Sequence, residues 1–426
     1  MINFRSCINE EKKKTNLKII SEPTLPYLSV SKRIIELEPA PVLFESVTGM
    51  KLAGNLFCDR SRFAEYLNLS TSNFLSDLSR KLDTSIAQLS VITETYGEDE
   101  QTELKLSELP ILFHYPGDGG YYITSAVWIV NDPEFGRNLS YHRMMVLNEN
   151  QASVRVVENR GMHQALAHTN GKAEIAICIA PPPAILLAAS FSPSNETDEM
   201  ELAARLAAVE LVNCKTIDLQ VPKDCEIVLE GYFTGKLAEE GPFVDITGTW
   251  DKIRKQPIVE ITRIAYRKNP IYHALVPGRA EHKILMGMPK ELDIFQAVNQ
   301  VCRCIDVSMT SGGCSWLHAI IQIKKQQGDD GKKALEAAFQ AHRSLKHCIV
   351  VDDDIDIYDI QDVEWAIATR FQSDKDLIVM TDQASSSLDP SALHVEGKKS
   401  RGAKMGLDAT IKKSGQKRKM FEKVKL

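Results

Sequence analysis

The sequence has no apolar run near the ~18 residues that a membrane-crossing helix requires. Its opening, MINFRSCINEEKKKTN, is too polar for a secretory signal. No CxxC pair occurs. The nine cysteines (Cys7, Cys58, Cys178, Cys214, Cys225, Cys302, Cys304, Cys314 and Cys348) are odd in number. Both facts argue against a disulfide framework or a zinc ribbon. Reduced thiols, mostly in the core, are expected, and with them a cytoplasmic location. There is no GxGxxG and no P-loop; GDGG (117–120) and SGGC (311–314) read as tight turns. No internal repeat is visible.

What is present is an ordinary core-forming composition, with 426 residues, 43% hydrophobic and 25% charged. At ~100–200 residues per domain this length predicts two to four domains. The net charge of -6 hides a basic end. Residues 396–426 carry eleven Lys or Arg against Glu396, Asp408 and Glu422, a balance of +8 that leaves -14 for the rest. A basic tail suits nucleic acid. KKSGQKRKMFEKVK, however, has one aromatic and no interleaved stacking residues, so it reads as a solvated terminus. Neither nucleic acid nor a membrane is expected as a partner.

Along the chain the texture changes twice. Residues 60–93 show apolar residues at three-and-four spacing and predict two helices. GEDEQTELKLSELP reads as a linker. From about 105 to 285, runs rich in Val, Ile, Thr and Tyr (YYITSAVWIV, ASVRVVE, AEIAICIA, TIDLQV, EIVLEGYF, QPIVEITRIAY) alternate with Gly, Pro, Asn and Asp. That is strand texture, typical of a barrel or sandwich. AILLAAS and DEMELAARLAAVEL read as helical inserts. After the helix ELDIFQAVNQVCRC, strands and helices alternate, which predicts an α/β layer domain.

Several local features carry chemistry. EEGPFVDITG (239–248) sets Glu240 and Asp245 around a Gly-Pro-Phe turn after a strand. Two converging carboxylates push their pKa values apart, leaving one protonated as a general acid. RNLSYHR (137–143) supplies Asn138, Ser140 and Arg143, and an arginine at a strand end clamps a carboxylate through two parallel hydrogen bonds. VVDDDIDIYD places Asp352, Asp353, Asp354 and Asp356 after a strand; such a row suits a helix N-terminus and turn better than a Mg²⁺ site. His273, His282 and His318 stand singly and read as structural.

Together these pieces resemble the UbiD family of decarboxylases. The matching segments run in family order: PVLFESVTG (41–49), DGGYYITS (118–125), RNLSYHR (137–143), PPPAILLAAS (181–190), VPKDCEIVLEGYF (221–233), EGPFVDITG (240–248), RKNPIYHALVPGRAEHKILMGMP (267–289), IVVDDDIDIYD (349–359), VEWAIATRF (363–371) and AKMGLDAT (403–410). The resemblance implies a carboxy-lyase that uses prenylated FMN, with Mn²⁺ or another divalent metal at the flavin phosphate and K⁺ nearby. A flavin prenyltransferase would supply the cofactor, and the enzyme would be a homo-oligomer, dimer or hexamer. It also implies an α/β and α+β multidomain fold. Its parts would be an N-terminal α/β region (1–104), a central flavin-binding split β-barrel (105–288), a connecting helix (289–304) and a C-terminal α/β oligomerisation domain with the basic tail (305–426).

By the same resemblance the catalytic set is Glu240, Arg143 and Asp245. Asp245 is one methylene shorter than the glutamate some members carry, and Val244 replaces a usual glycine. Thr124, Asn138, Ser140, Arg160 and Lys404 fall on cofactor-contacting positions. The metal ligands fall on Asn138 and Glu199. The family's ligand histidine falls on Gly161, and His163, two residues on, stands in for it. The C-terminal half resembles an archaeal branch, which implies a small carboxylic acid as substrate: trans-anhydromevalonate 5-phosphate, losing CO₂ to give isopentenyl phosphate. An aromatic or phenolic acid, such as a 4-hydroxybenzoate derivative, is the alternative substrate. A non-catalytic flavin-binding paralogue is the alternative of another class.

Overall fold

The computed structural model describes residues 2–97, 105–194, 197–395, 398–412 and 419–424. It separates into two compact units, Met1–Thr71 with Arg80–Leu285 and Ser72–Ser79 with Met286–Leu426. Half of GEDEQTELKLSELP and most of the basic tail beyond Lys412 lie outside the described residues.

The strand texture of the first unit becomes one sheet of eight strands. Its order is Tyr122–Ile123, Met144–Val146, Gln151–Val154, Arg254–Tyr266, Ile227–Glu240, Glu174–Ile179, Val127–Asp132, Gly136–Tyr141. Every neighbouring pair is antiparallel. The inner strands bury both faces: Ile175, Ala176, Ile177, Cys178 and Ile179 are all fully buried. A continuous apolar run of this length is what a doubly covered strand requires.

The ladder bends at Gly231, where the register slips between Glu230 and Gly231. A Cβ there would lie 2.2 Å from the Glu260 carbonyl oxygen, so only glycine permits this approach. Strands Gly136–Tyr141 and Met144–Val146 stand toward opposite ends of the order yet are joined by only His142 and Arg143. Three Cα–Cα steps of about 3.8 Å cannot span an open eight-stranded sheet. The sheet therefore curls until its ends approach. Among the described residues no hydrogen-bonded ladder closes it into a ring.

A second sheet of the same unit has the order Lys18–Ile20, Val42–Val47, Met50–Gly54, Ile271–Ala274. Its last strand comes from the far end of the central segment and pairs parallel with Met50–Gly54, so these segments share one unit. A third sheet joins Gln220–Pro222, Val209–Asn213 and Leu89–Thr95. Two helix expectations are shortened here. Residues 60–93 form the helices Arg60–Tyr66 and Phe74–Thr84 and then the strand Leu89–Thr95. DEMELAARLAAVEL forms a helix only over Glu199–Leu206. The apolar positions beyond each helix pair with one another, Val209 opposite Leu89 and Leu211 opposite Val91, and that pairing overrides the helical spacing.

The second unit is a mixed sheet ordered Cys304–Met309, His318–Ile323, His347–Asp352, Arg401–Asp408, Leu377–Ala384. Helix Ile360–Arg370 packs Val363 and Ala366 against Ile320, Ile349 and Val351. The aspartate row is structural, as its position after a strand predicts: Arg370 binds Asp354 at 2.6 and 2.9 Å and Asp352 at 3.3 Å, and Asp359 caps the helix. The helix expected at 289–304 runs instead over Ala280–Asn299.

Among the described residues no helix is long and apolar enough to cross a membrane. All nine cysteines are free thiols.

Candidate active site

Glu240 ends the long strand Ile227–Glu240, directly opposite Arg254, which begins its partner strand. The intervening loop folds back on itself as a short ribbon, Phe243–Val244 against Trp250–Asp251, with Phe243 opposite Asp251. Gly241 has φ +100, a left-handed conformation that glycine tolerates best. This double-back brings Asp245 and Asp251 to the end of the strand that carries Glu240. Arg143 enters from the two-residue link between sheet ends.

The Arg143 guanidinium holds all three acids. Nε and Nη2 donate to the two Glu240 oxygens at 2.8 and 3.0 Å. Nη1 donates to Asp245 at 2.8 Å and Nη2 to Asp251 at 2.8 Å. Its carbon lies 4.5 Å from the centre of the Phe243 ring, a cation–π contact. Glu240 is fully buried, and the Arg143 side chain is 9% exposed. Burial opposes the charge on Arg143, but the Glu240, Asp245 and Asp251 carboxylates outweigh it and raise the pKa above the ordinary arginine value. Burial pushes Asp251 up, yet Arg254 and Arg143 bring it down to about 2.

Two neighbours complete the site. Tyr122 donates its hydroxyl to Glu240 at 3.1 Å and accepts the Gly241 N–H at 3.1 Å. Burial, reinforced by the Glu240 charge, holds its phenol proton far above the usual range. His282 accepts the Gly278 N–H on Nδ1 at 3.0 Å. Burial lowers its pKa, with Asp245 pulling it up and Arg143 pushing it down.

The structure thus gathers Glu240, Arg143 and Asp245. It adds Asp251, Tyr122 and Phe243, which the sequence reading missed. Tyr122 carried a faint signal, two residues before the DGGYYITS threonine; Asp251, in TWDK, had none. Val244 is buried in the ribbon strand.

A second pair lies on the same sheet. Asn138, on Gly136–Tyr141, donates to Glu199 at 3.2 Å, and the Leu139 N–H donates to the other Glu199 oxygen at 2.9 Å. Glu199 opens its helix behind the cap Asp198, which Arg137 grips at 2.6 Å. Burial raises the Glu199 carboxyl to about 7. Ser140 contacts Asn138 at 3.5 Å and His142 at 2.9 Å. Thr124 donates to the Leu275 carbonyl at 2.6 Å. Arg160 stands at the N-cap position of helix Gly161–His168 without a side-chain capping bond and is exposed.

The expected placement of His163 is corrected, and Lys404 makes contacts of its own. His163 is not brought to the Asn138–Glu199 pair. Gly161 is the residue that touches Asn138, since a Cβ on it would lie 2.6 Å from the amide nitrogen. His163 follows two positions later, about 200° round the helix. It is exposed in a depression lined by Val156, Leu166, Lys236, Leu237 and Pro257. Among the described residues no three His, Cys, Asp or Glu side chains converge as a metal set. Lys404 is a brace within the second unit. It is 6% exposed, it donates to the Arg343 and Leu345 carbonyls at 2.7 and 2.5 Å, and burial lowers its pKa to about 8.

The sequence matches three domains of 3-octaprenyl-4-hydroxybenzoate carboxy-lyase: the N-terminal domain over residues 8–82, the Rift-related domain over 88–280 and the C-terminal domain over 283–409. It is 40% identical over 406 residues to an anhydromevalonate phosphate decarboxylase of Methanocaldococcus jannaschii, covering 93% of this chain and 94% of that one. The fold matches the UbiD-class enzyme HmfF from Pelotomaculum thermopropionicum in complex with FMN, with TM-score 0.91, 31% identity and coverage of 100% and 97%. An evolved dimeric form of HmfF in complex with prFMN matches with TM-score 0.88, 30% identity and coverage of 100% and 97%.

Proposed function

The chain belongs to the UbiD family of carboxy-lyases, and from that premise we propose that it removes CO₂ from trans-anhydromevalonate 5-phosphate, giving isopentenyl phosphate. The observation that supports this reading best is the near full-length match to the relative of that activity, in a chain whose Arg143 sits among three acids. The curled eight-stranded sheet is read as the family's split barrel, holding prenylated FMN beside Arg143. Thr124, Ser140 and Arg160 are assigned to the flavin.

The residues fit a divalent cation at the flavin phosphate. Among the described residues Glu199 is a buried carboxylate without a cationic partner, and that missing positive charge is what Mn²⁺ would supply. Asn138 and Glu199 would hold the ion as two protein ligands, with K⁺ nearby. A flavin prenyltransferase would provide the cofactor, and assembly would be as a dimer or larger homo-oligomer.

When bound, the flavin supplies the electron sink for loss of CO₂. The chain supplies geometry and protons. Arg143 clamps the substrate carboxylate and fixes its approach. Glu240, held at both oxygens by Arg143 and at one by Tyr122, is placed to take up a proton as Arg143 turns to the substrate and to hand it to the carbon that loses CO₂.

The test is turnover by protein co-expressed with a flavin prenyltransferase. Isopentenyl phosphate should form from the phosphorylated acid, and Glu240→Gln should abolish it. Turnover of a 4-hydroxybenzoate derivative alone would overturn the substrate. A colourless, flavin-free protein would overturn the enzyme reading.

A further inference from the structure

An arginine has five N–H donors. In Arg143 four are committed: one on Nε, both on Nη2 and one on Nη1. A bidentate substrate carboxylate needs two neighbouring donors. One protein carboxylate must therefore give way before the acid can be clamped.

The three candidates differ in what they would lose. Glu240 is fully buried, takes two bonds from Arg143 and one from Tyr122, and has no other cation among the described residues. Among the described residues Asp245 would keep the Ile246 N–H at 2.7 Å and no second cation. Asp251 has a second arginine already in place. Arg254 Nη1 and Nη2 bind its two oxygens at 2.6 Å each, and the Lys252 N–H adds a bond of 2.9 Å. Releasing Arg143 leaves Asp251 fully neutralised by Arg254, so its departure costs least.

We propose that Asp251 is a placeholder for the substrate carboxylate: it occupies one edge of Arg143 in the free protein and withdraws onto Arg254 when the acid binds. This rests on Arg143 being the carboxylate clamp. Asp251 and Arg254 are then positioning residues that set the affinity for the acid. Asp251 competes with it, and Arg254 relieves the competition. Because Asp251 stays ionised far below neutral pH, the exchange is between two anions of like charge.

Two single variants move binding in opposite directions. Asp251→Asn weakens the competitor and tightens acid binding by about tenfold, the worth of one charge-assisted hydrogen bond. Arg254→Gln removes the refuge, leaves Asp251 on Arg143 and weakens binding by about tenfold. The double variant behaves like Asp251→Asn, because Arg254 acts only through Asp251. Binding is read by calorimetry on protein loaded with unmodified FMN. The probes are trans-anhydromevalonate 5-phosphate and the phosphate-free 3-methylbut-2-enoate. In enzyme carrying prenylated FMN the same shifts appear in KM, with kcat changed less. Asp251→Ser replaces Asp251→Asn if the latter fails to fold.

Binding that weakens in both single variants, or in neither, overturns the proposal. So does the lack of millimolar binding of either acid to the Asp251 variant. Opposite shifts with 3-methylbut-2-enoate, alongside no turnover of the phosphorylated acid, sustain the placeholder and overturn only the substrate reading.

Discussion

Tyr122 and Glu240 are 118 positions apart, yet the tyrosine hydroxyl donates to the glutamate at 3.1 Å while accepting the N–H of the next residue, Gly241, at 3.1 Å. One hydroxyl thus fixes both the acid and the turn that follows it. Its ring, 4.7 Å from that of Phe243, ties the same point to the surface on which Arg143 rests. Tyr122→Phe keeps the ring but leaves the Gly241 N–H and one Glu240 oxygen short of a partner. Stability should fall by about 1–3 kcal/mol, read as a shift in the urea midpoint. Activity should fall by about tenfold or more, mostly in kcat, because the proton donor loses its orientation. Unchanged kcat would remove Tyr122 from the positioning of Glu240.

Gly161 stands where the family resemblance places a ligand histidine, and the structure gives it a packing role: an added Cβ would approach the Asn138 amide to 2.6 Å. Asn138 is short and cannot swing aside without leaving Glu199. Gly161→Ala should therefore break the Asn138–Glu199 bond of 3.2 Å while leaving Glu240 and Arg143 in place. Manganese affinity should drop by about tenfold, measured by the metal concentration needed for flavin retention. Unaltered manganese affinity would exclude Asn138 from the proposed metal site.

How much of this was legible follows from how local each feature is. Glu240, Asp245 and Arg143 sit in short segments whose turn chemistry and residue order carry meaning by themselves. Asp251 does not: it reaches Arg143 only because the loop after Glu240 doubles back and pairs Trp250–Asp251 with Phe243–Val244. The sheet's strands were readable from their β-branched runs, but its order is set by long-range pairing that no local pattern encodes. His163 shows the opposite error. Nearness in sequence suggested a ligand, while the helix it stands on turns it away from Asn138. Lys404 was likewise placed by its segment, AKMGLDAT, and the strand that the segment forms directs its ammonium to two main-chain carbonyls.

Glu199 makes stability depend on pH with a definite sign. Burial raises its carboxyl from 4.5 to about 7 in the folded protein. At low pH both folded and unfolded chains hold the proton, and the contribution is fully present. As pH rises toward and through 7, the folded protein must ionise a buried group that the unfolded chain has already ionised, and stability is lost. The loss approaches about 3 kcal/mol by pH 8, the equivalent of a shift of roughly two and a half pH units. Glu199→Gln should flatten this dependence in thermal melts between pH 5 and pH 8. Added Mn²⁺ should restore the native protein at pH 8 and leave the Gln variant nearly unaffected. Equal pH dependence in the two proteins would assign it to other groups.

Gly119 presses the DGG turn against the loop that follows Glu240. Its N–H donates to the Pro242 carbonyl at 2.8 Å, and a Cβ on it would lie 2.2 Å from the Gly241 carbonyl oxygen. That contact is backbone against backbone, so no side chain can move to relieve it. Gly119→Ala must displace either the 118–120 turn or the Gly241–Pro242 segment, and the latter carries Glu240 at its start and Asp245 shortly beyond. The cost should be about 1–3 kcal/mol of overpacking, with kcat reduced by about a hundredfold, since a shift near 1 Å at the acids is enough to misplace them. Gly120→Ala is the control: there a Cβ presses on the Met145 side chain at 3.1 Å, which can yield, and meets the Val146 carbonyl at an ordinary 3.8 Å. It should retain most activity. If the two variants lost activity equally, the close approach at Gly119 would not be what holds the acid turn in place.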